Sequence, residues 1–317
     1  MVYGMSPGIR KSITHWFSGS LPLLISIVAP LLLGQSNQLS GERAFFHAQR
    51  IVSFGPRPPG SAGIKRTQRY LTDALKNYPL EVEHQNFLAM TPNGEIPMKN
   101  IVARTKSSPN DFIILASHYD TLLMKNGVFV GANDGASSTG LLLELAQLLS
   151  SQKWKFSLWF VFFDGEEAQQ LWTAQDSLYG STYFVERLQA RGQVSKIKAM
   201  ILMDMVGDKD LVLENDTTST AWLMALVRDS AKELGHGRQL GDTPKAIIDD
   251  HVPFLRVGIP AVDLIDYEFG SNNKYWHTSQ DTLDKISPKS LQVTGEIVLK
   301  TLKKLSEKYF EVGSSRQ

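Results

Sequence analysis

The sequence predicts an α/β protein, a three-layer α/β/α sandwich with a mixed, mostly parallel central sheet. Two observations predict this fold. Several short runs are almost entirely apolar, as expected of strands that are buried on both faces, and segments with apolar residues at helical spacing separate them. The chain has 317 residues, of which 42% are hydrophobic, and this is enough apolar material for one large domain.

The predicted elements follow one another along the chain. A helical segment from Gly41 to Val52 comes first, and a second helix begins near Ser61 after a loop dense in proline and glycine, Gly55 to Gly60. Beyond it, strands are predicted in the apolar runs and helices between them. The runs are Asp111–Ser117, Trp154–Phe163, Ala199–Val206 and Pro260–Ile265, and the helical segments are Gly135–Leu149, Ser181–Ala190 and Ala221–Leu234.

The first 36 residues are predicted to be a signal peptide or N-terminal leader. Arg10 and Lys11 precede an apolar run from Leu21 to Leu33, which is shorter than the ~20 residues that a membrane-spanning helix needs. Small residues at Gly34 and Ser36 make cleavage after Ser36 plausible, so we expect an exported protein, periplasmic or secreted. An uncleaved anchor or a buried helix is the alternative. Residues 37–317 are then expected to form a single catalytic domain.

Composition excludes several classes of function. The 33 Lys and Arg residues balance 32 Asp and Glu residues, so there is no basic field to attract nucleic acid or a membrane surface. Cysteine is absent, which excludes thiol nucleophiles, disulfides and thiolate metal sites. We therefore expect small molecules or peptides as partners, and any metal ion must be bound by histidine and carboxylate side chains.

Ionisable residues follow the predicted strands at the point where each strand ends. In open α/β sheets, ligands bind outside the carboxyl ends of the strands, so these side chains are expected to converge on one edge. His118 and Asp120 follow the first apolar run, Asp164, Glu166 and Glu167 the second, Asp204 lies at the third, and His277 follows the fourth.

This set has the chemistry of a zinc site. Catalytic zinc is held by imidazole and carboxylate ligands around an open position, and such ligands are available at His118, Asp134, Glu167, Asp204 and His277. Taken singly, each has an ordinary structural alternative. Asp134 stands where a helix N-cap is expected, and a lone histidine is more often a hydrogen-bonded core residue than a ligand.

The acidic turn from Asp164 to Glu167 is the strongest single signal. Adjacent carboxylates repel each other, so two of them at the end of a buried strand indicate a nearby cation or proton. One carboxylate can then bind metal while its neighbour transfers protons. The alternative is a solvated acidic loop. No His-Glu-x-x-His pair, Walker sequence or Gly-x-Ser-x-Gly motif competes with this interpretation.

Five motifs together resemble the M28-type zinc aminopeptidases and their relatives, the glutaminyl cyclases. They occur in the family's order between about Ile51 and about Ile286. The motifs are Ser117–Asp120, Gly131–Asp134, Asp164–Glu167, Met203–Asp204 and Trp276–His277.

Within this family, two segments resemble the cyclases more than the aminopeptidases. The link from Glu166 and Glu167 through Trp172 to Ser181 is longer than in typical aminopeptidases, and the segment Asp249–Leu255 is similar to that of the cyclases. Trp172 and Trp276 stand where cyclases carry aromatic residues that line the substrate pocket, although core packing is the ordinary alternative for a tryptophan.

The resemblance implies a set of roles for these residues. Asp134, Glu167 and His277 would bind one zinc ion per chain, with His118 and Asp204 as further metal ligands or as residues behind the ligands. Glu166 would transfer protons, and Asp204 and Asp249 would complete an acidic network at the catalytic centre. Apart from the resemblance, Asp120 lies two residues after His118 and offers its imidazole a hydrogen-bond acceptor, as metal-bound histidines usually have.

The implied reaction is zinc-dependent conversion of an N-terminal glutamine of a peptide or protein into pyroglutamate, with release of ammonia. A di-zinc aminopeptidase is the alternative, because all five ligand positions of a two-metal site are present and the segment Gly135–Gly140 is closer to aminopeptidase usage. A third possibility is a peptide-binding module without catalytic activity, against which the intact Glu166 and Glu167 argue.

Overall fold

The computed structural model describes residues 38–106 and 110–310. The predicted leader and its cleavage site lie outside the described residues and stay predictions. Among the residues described, no helix is both long enough and apolar enough to cross a bilayer.

Seven α-helices and eight strands are assigned in the described part of the chain, and they alternate over most of its length. In chain order they are α1 (Gly41–Val52), α2 (Ala62–Lys76), β1 (Leu80–Thr91), β2 (Gly94–Thr105), β3 (Phe112–His118), α3 (Ser138–Leu149), β4 (Ser157–Phe163), α4 (Tyr179–Ala190), β5 (Ile197–Asp204), β6 (Leu213–Asp216), α5 (Ala221–Glu233), β7 (Leu240–Lys245), α6 (Val252–Arg256), β8 (Ala261–Ile265) and α7 (Pro288–Phe310).

The central sheet has six strands in the order β1-β2-β4-β3-β5-β8. The neighbouring pairs β4–β3, β3–β5 and β5–β8 are parallel, whereas the pairs β1–β2 and β2–β4 are antiparallel. The predicted fold class, a mixed and mostly parallel α/β sheet, is therefore confirmed. The four apolar runs of the sequence form β3, β4, β5 and β8, while the β1–β2 hairpin was not predicted.

Both faces of the sheet are buried, which explains why these strands are apolar throughout. Along β3, Ile113 and Leu115 enter one core, which includes residues of α1, α3 and α7. Ile114 and Ala116 point the other way, into a second core with residues of α4 and α6. Because successive side chains of a strand alternate between the faces, a strand with helices on both sides has no polar face.

The two N-terminal helices begin where the sequence predicts. Ser40 caps α1, with its hydroxyl accepting a hydrogen bond from the Arg43 N–H at 3.2 Å, and Ser61 caps α2 through the Ile64 N–H at 3.1 Å. Each cap satisfies one of the free N–H groups of the first helical turn. The Pro/Gly-rich loop therefore separates two well-defined helices.

The order of the strands determines which residues meet. β3 lies between β4 and β5, so His118 at the end of β3 is the register partner of Phe163, the last residue of β4. Asp204 ends β5 on the other side. The carboxyl ends of three neighbouring parallel strands thus bring His118, the acidic turn after β4, and Asp204 to one edge of the sheet.

Candidate active site

Asp134 stands at the centre of the residues that converge on this edge. Its Oδ1 lies 3.3 Å from Nε2 of His118, and its Oδ2 lies 3.2 Å from Nε2 of His277. The residue belongs to an irregular turn, Ala132–Ser137, in which its ψ of 100° is not helical. The alternative role of Asp134 as a helix N-cap is wrong, because Ser137 occupies that position in front of α3.

Two groups of side chains have ligand atoms close enough to share a metal ion, and Asp134 belongs to both. One is His118, Asp134 and Asp204, and the other is Asp134, Glu167 and His277, with ligand atoms within 4.8 Å of one another in each group. In the second group, Nε2 of His277 lies 3.4 Å from Oε1 of Glu167. The five predicted ligands are therefore brought together.

Glu167 provides a direct test of whether this site suits a cation. The side chain is 1% exposed, and neither carboxylate oxygen has a hydrogen-bond partner among the described residues. A buried carboxylate without a partner is strongly disfavoured unless a positive charge compensates it. Together with the imidazole of His277 and the carboxylate of Asp134, it forms a donor set that fits zinc.

The two groups differ in their access to solvent. A cavity of about 720 Å³ is lined by Asp134, Glu167 and His277, whereas His118 does not line it. The ring of His118 is buried, with Nε2 3.0 Å from Oδ1 of Asp204. Asp204 of the other group also lines the cavity, but the group with Glu167 and His277 is the one whose three members all face it, as the open position of a catalytic metal requires.

The acidic turn after β4 is buried and hydrogen-bonded, so its interpretation as a solvated loop is wrong. Oδ1 of Asp120 accepts a hydrogen bond from the Glu166 N–H at 3.1 Å, and Oδ2 accepts one from the Glu167 N–H at 3.2 Å. Asp120 also lies beside the His118 ring, with Nδ1 and Oδ1 3.5 Å apart, and its role as a hydrogen-bond acceptor for this histidine stays a prediction. One carboxylate thus fixes the backbone of both glutamates.

Asp164, the first residue of this turn, is held from the opposite side. Its Oδ2 accepts hydrogen bonds from the Lys99 N–H at 2.9 Å, the Gln68 amide at 3.1 Å and the Tyr119 hydroxyl at 3.2 Å. Gly165 follows with a φ of 75°, where a Cβ would come within 2.4 Å of the Met98 sulfur. The strand therefore turns sharply, and Glu166 and Glu167 point toward the cavity.

Burial shifts the proton affinity of the carboxylates that face the cavity. Burial raises the pKa of Glu166 well above its ordinary value, and the nearby negative charges of Asp249 and Glu167 add to the increase although His118 opposes it. For the same primary reason the pKa of Glu167 rises to about 7 and that of Asp249 to about 7. Such carboxylates can hold a proton near neutral pH, as general acids and bases must.

The carboxylates in turn raise the pKa of the histidine that faces the cavity. Burial lowers the pKa of His277, but the carboxylates of Glu167 and Asp134 outweigh it and raise the value to about 10. Burial raises the pKa of Asp134, but hydrogen bonds from His118 and His277 outweigh it and leave the pKa below its ordinary value. These shifts reflect a concentration of negative charge that a divalent cation would neutralise.

A second acidic layer lies behind the cavity wall. Asp249 lines the cavity and is 3% exposed, and Asp250 and Asp263 near it are fully or almost fully buried. Burial and the negative charge of Asp249 raise the pKa of both Asp250 and Asp263 well above the ordinary value. Asp249 and Asp204 thus lie in a cluster of buried carboxylates that includes Asp263, a residue not expected from the sequence, and their role as a catalytic network stays a prediction.

Two tryptophans form part of the cavity wall, as predicted. Trp172 is 40% exposed, so the alternative of core packing is wrong for this residue. Trp276 stacks on the His277 ring with centroids 4.1 Å apart, and Tyr267 packs against Trp276 at 5.3 Å. Leu171 and Ile248 add exposed apolar surface at the same cavity. The arrangement suits a ligand with a polar end at the carboxylates and apolar contacts along its length.

Sequence reasoning missed two buried residues beside the site, Arg57 and Asp281. Asp281 accepts hydrogen bonds from the N–H groups of Asn133 and Asp134, and Arg57 donates to backbone carbonyls nearby. Asp281 lies four residues after His277, and this spacing could have drawn attention to it. Nothing in the Pro/Gly-rich loop around Arg57 indicates that this arginine is buried.

Comparison with known proteins agrees with this geometry. Residues 100–302 match the model of peptidase family M28. The glutaminyl-peptide cyclotransferase-like protein of Bos taurus is 31% identical over 271 residues, which cover 76% of this chain and 70% of the bovine protein.

Solved structures show the same relationship. A glutaminyl cyclase from an Acidobacteriales bacterium is 36% identical with a TM-score of 0.82, covering 88% of this chain and 99% of that one. A Zn-dependent exopeptidase from Parabacteroides distasonis is 25% identical with a TM-score of 0.76, covering 84% and 98%. Sequence, fold and site together lead to one conclusion: the chain belongs to peptidase family M28 and, within it, to the glutaminyl cyclases.

Proposed function

We propose that this protein is a zinc-dependent glutaminyl-peptide cyclotransferase, which converts the N-terminal glutamine of peptides or proteins into pyroglutamate and releases ammonia. The observation that carries this proposal is Glu166, a buried carboxylate with a raised pKa, next to Glu167, whose buried carboxylate accepts no hydrogen bond among the described residues, in a cavity walled by Trp172 and Trp276. The relatives that are named cyclotransferases support the choice of reaction.

One zinc ion would be held by Asp134, Glu167 and His277, the group that faces the cavity. Zinc bound there would polarise the side-chain amide carbonyl of the substrate glutamine as a Lewis acid. His118 would support this site from behind, with its Nε2 3.0 Å from Oδ1 of Asp204, which itself lines the cavity. Asp204 also accepts the Met205 N–H at 2.8 Å, which fixes its orientation.

Glu166 would transfer the protons. In the reaction, the α-amine nitrogen of the substrate forms a bond to the side-chain amide carbon, and the bond from that carbon to the amide nitrogen breaks. Glu166 accepts a proton from the attacking amine and delivers one to the departing nitrogen, which leaves as ammonia. Burial raises the pKa of Glu166, so its carboxylate binds a proton more readily than an ordinary glutamate does, and its place on the cavity wall lets it exchange that proton with a bound substrate.

The cavity walls would supply orientation. Both reacting groups belong to one residue, so holding that residue in a folded conformation gives the advantage of an intramolecular reaction. Trp172 and Trp276 present the aromatic surfaces that would pack on the substrate side chain and backbone. Asp249 faces the same space and would accept hydrogen bonds from the N-terminal amine or the amide nitrogen.

A di-zinc aminopeptidase is the second candidate, and the group His118, Asp134 and Asp204 is the observation that favours it. Incubating the purified protein with a glutaminyl peptide and a leucyl peptide distinguishes the two. We expect cyclisation of the first with ammonia release and no hydrolysis of the second. Hydrolysis of the leucyl peptide without cyclisation of the glutaminyl one would overturn the proposal.

We further propose that the enzyme is exported through residues 1–36. The positively charged start and apolar run of this segment support the proposal. N-terminal sequencing of protein recovered from outside the cytoplasm should begin at or near Asn37, whereas full-length protein found only inside the cell would contradict it.

A further inference from the structure

Arg57 is a fully buried arginine whose side chain is devoted to backbone carbonyls. Its Nε donates to the carbonyl of Tyr119 at 3.1 Å, Nη1 to that of Val130 at 2.5 Å and Nη2 to that of Gly131 at 3.0 Å. Within residues 38–106 and 110–310, no carboxylate lies at ion-pair distance from it. Burying a guanidinium group without a carboxylate partner costs free energy. The burial of Arg57 therefore indicates a structural role that compensates for this cost.

The backbone of Arg57 is anchored as well. The Arg57 N–H donates to the Thr121 hydroxyl at 2.9 Å, and its carbonyl accepts the Thr121 N–H at 3.3 Å. The residue therefore connects the segment just after β3, which follows His118 and carries Asp120, to the loop that leads to Asp134. Both connected segments carry residues of the proposed active site.

The charge of Arg57 is balanced by carboxylates at longer range. Burial lowers the pKa of Arg57 to about 10, while the negative charges of Asp281, Asp120 and Asp134 act to raise it. The guanidinium thus stays protonated at neutral pH. Its positive charge lies close to the acidic cluster without neutralising any one carboxylate by direct contact.

Asp281 holds the same loop from its other end. Its Oδ1 accepts the Asn133 N–H at 2.7 Å, and its Oδ2 accepts the Asp134 N–H at 3.0 Å. The carboxylate is fully buried. Arg57 therefore binds the carbonyl groups at residues 130 and 131, and Asp281 binds the N–H groups at residues 133 and 134.

We propose that Arg57 and Asp281 form a loop clamp that fixes Asp134 in the orientation needed to bind the metal ion. Asp134 presents one carboxylate oxygen toward His118 and the other toward His277, so a rotation of its backbone would disturb both contacts. This inference rests on the zinc site of the proposed function, but not on which reaction the zinc enzyme catalyses.

The conformation of the loop shows why it needs such support. Gly131 has a φ of 50°, and a Cβ there would lie 2.2 Å from the Asp134 carbonyl oxygen and 3.3 Å from Nη2 of Arg57. The chain therefore folds back on itself between Gly131 and Asp134. Such an irregular backbone conformation persists only when surrounding contacts hold it in place. The hydrogen bonds of the loop clamp supply those contacts just before α3.

Arg57 and Asp281 are positioning residues, since neither lines the cavity. Lysine at position 57 would keep the positive charge but lose the planar fork that reaches three carbonyls. Asparagine at position 281 would keep the shape but could accept only one of the two N–H bonds through its single oxygen. Arg57→Lys thus weakens the clamp at one end with the charge kept, and Asp281→Asn weakens it at the other end with the size kept.

The test is the zinc affinity of metal-free protein, measured by competition with a fluorescent chelator. We expect Arg57→Lys and Asp281→Asn to bind zinc about 10- to 100-fold more weakly than wild type, the usual effect of losing a residue that supports a ligand. Arg43→Lys is the matched control, because the Arg43 guanidinium pairs with the buried Glu144 of α3 and makes no hydrogen bond to the loop that carries Asp134. It should lower thermal stability without changing zinc affinity.

Cyclisation kinetics give a second measurement. At zinc concentrations that saturate each variant, both should recover most of the wild-type kcat, because the reacting groups are unchanged. Unchanged zinc affinity in the two variants, or failure of both to fold, would overturn the loop clamp. If wild type binds zinc but does not cyclise glutamine, the proposed reaction is wrong and the zinc measurement still tests the clamp. If wild type binds no zinc, both proposals are wrong.

Discussion

Replacing Glu166 by glutamine should separate catalysis from stability, because the two are predicted to change in opposite directions. Glutamine has nearly the same shape but can neither accept nor hold the transferred proton. General acid–base catalysis by a positioned side chain contributes about 10²- to 10⁴-fold. Because Glu166 is only 6% exposed, bulk water cannot readily replace it, so we expect kcat to fall by the upper part of that range, about 10³- to 10⁴-fold. At ~1.4 kcal/mol per factor of ten, this is about 4–5.5 kcal/mol of activation free energy.

Stability should change the other way. A carboxyl group whose pKa is raised by folding contributes stability below its ordinary pKa, and this contribution is lost as the pH rises through the folded-state value. At pH 8 folding costs free energy, because Glu166 must either take up a proton or bury its negative charge. Glutamine is uncharged and avoids this cost. Metal-free Glu166→Gln should therefore unfold at a higher temperature than metal-free wild type at pH 8, with a smaller difference at pH 5.

The assay combines ammonia release from a glutaminyl peptide with thermal unfolding followed by circular dichroism. Zinc content should stay at the wild-type level, because Glu166 is not one of the three proposed ligands. The control is Glu186→Gln, which makes the same change at an exposed position of α4 and should alter neither property. Retention of more than a tenth of wild-type activity by Glu166→Gln would refute its assignment as the proton carrier.

Three further predictions concern the metal, the cavity wall and acid stability. Zinc at 100 times its dissociation constant should stabilise the metal-free protein by about 2.7 kcal/mol and raise its unfolding temperature by about 5–10 °C. An equal rise in the unfolding temperature of His277→Ala would contradict the assignment of His277 as a zinc ligand. Trp172→Ala should raise KM for glutaminyl peptides about 3- to 10-fold, because an aromatic contact contributes about 0.5–1.5 kcal/mol. An unchanged KM would show that Trp172 does not contact the substrate. Although burial acts to raise it, hydrogen bonds from His251 and Ser219 lower the pKa of Asp216 to about 2. The ionised carboxylate of Asp216 should therefore add fully to the free energy of unfolding above pH 3.8, its ordinary pKa, and lose this effect as the pH falls toward 2. Plotted against pH, the free energies of unfolding of wild type and Asp216→Asn should converge at acid pH, and parallel curves would contradict the prediction.

The parts of the fold that sequence predicts well are those in which the local pattern and the final environment agree. The helix from Gly41 to Val52 has the predicted limits because a serine cap and an amphipathic pattern both mark it. β3, β4, β5 and β8 were predicted because they are buried on both faces. By contrast β1 carries Glu81, Glu83 and Gln85, and its strand conformation depends on pairing with β2, which no local pattern reports.

The same distinction applies to the site. Residues such as His118 and Glu167 could be predicted because they are ionisable and follow apolar strands, where topology makes them meet. Arg57 could not, because its role depends on carbonyl groups contributed by two distant segments. Asp263 was missed because it lies inside an apolar strand, and only the folded structure places it near Asp249.

Stepwise return of zinc to the metal-free enzyme, with cyclisation and hydrolysis followed in parallel, tests the central claim most directly. One zinc ion bound by Asp134, Glu167 and His277 predicts that ammonia release from a glutaminyl peptide is fully restored at one equivalent of zinc. Hydrolysis of a leucyl peptide should stay absent throughout the titration. Activity that returns only with a second equivalent, or that returns as hydrolysis, would contradict a single-zinc cyclase.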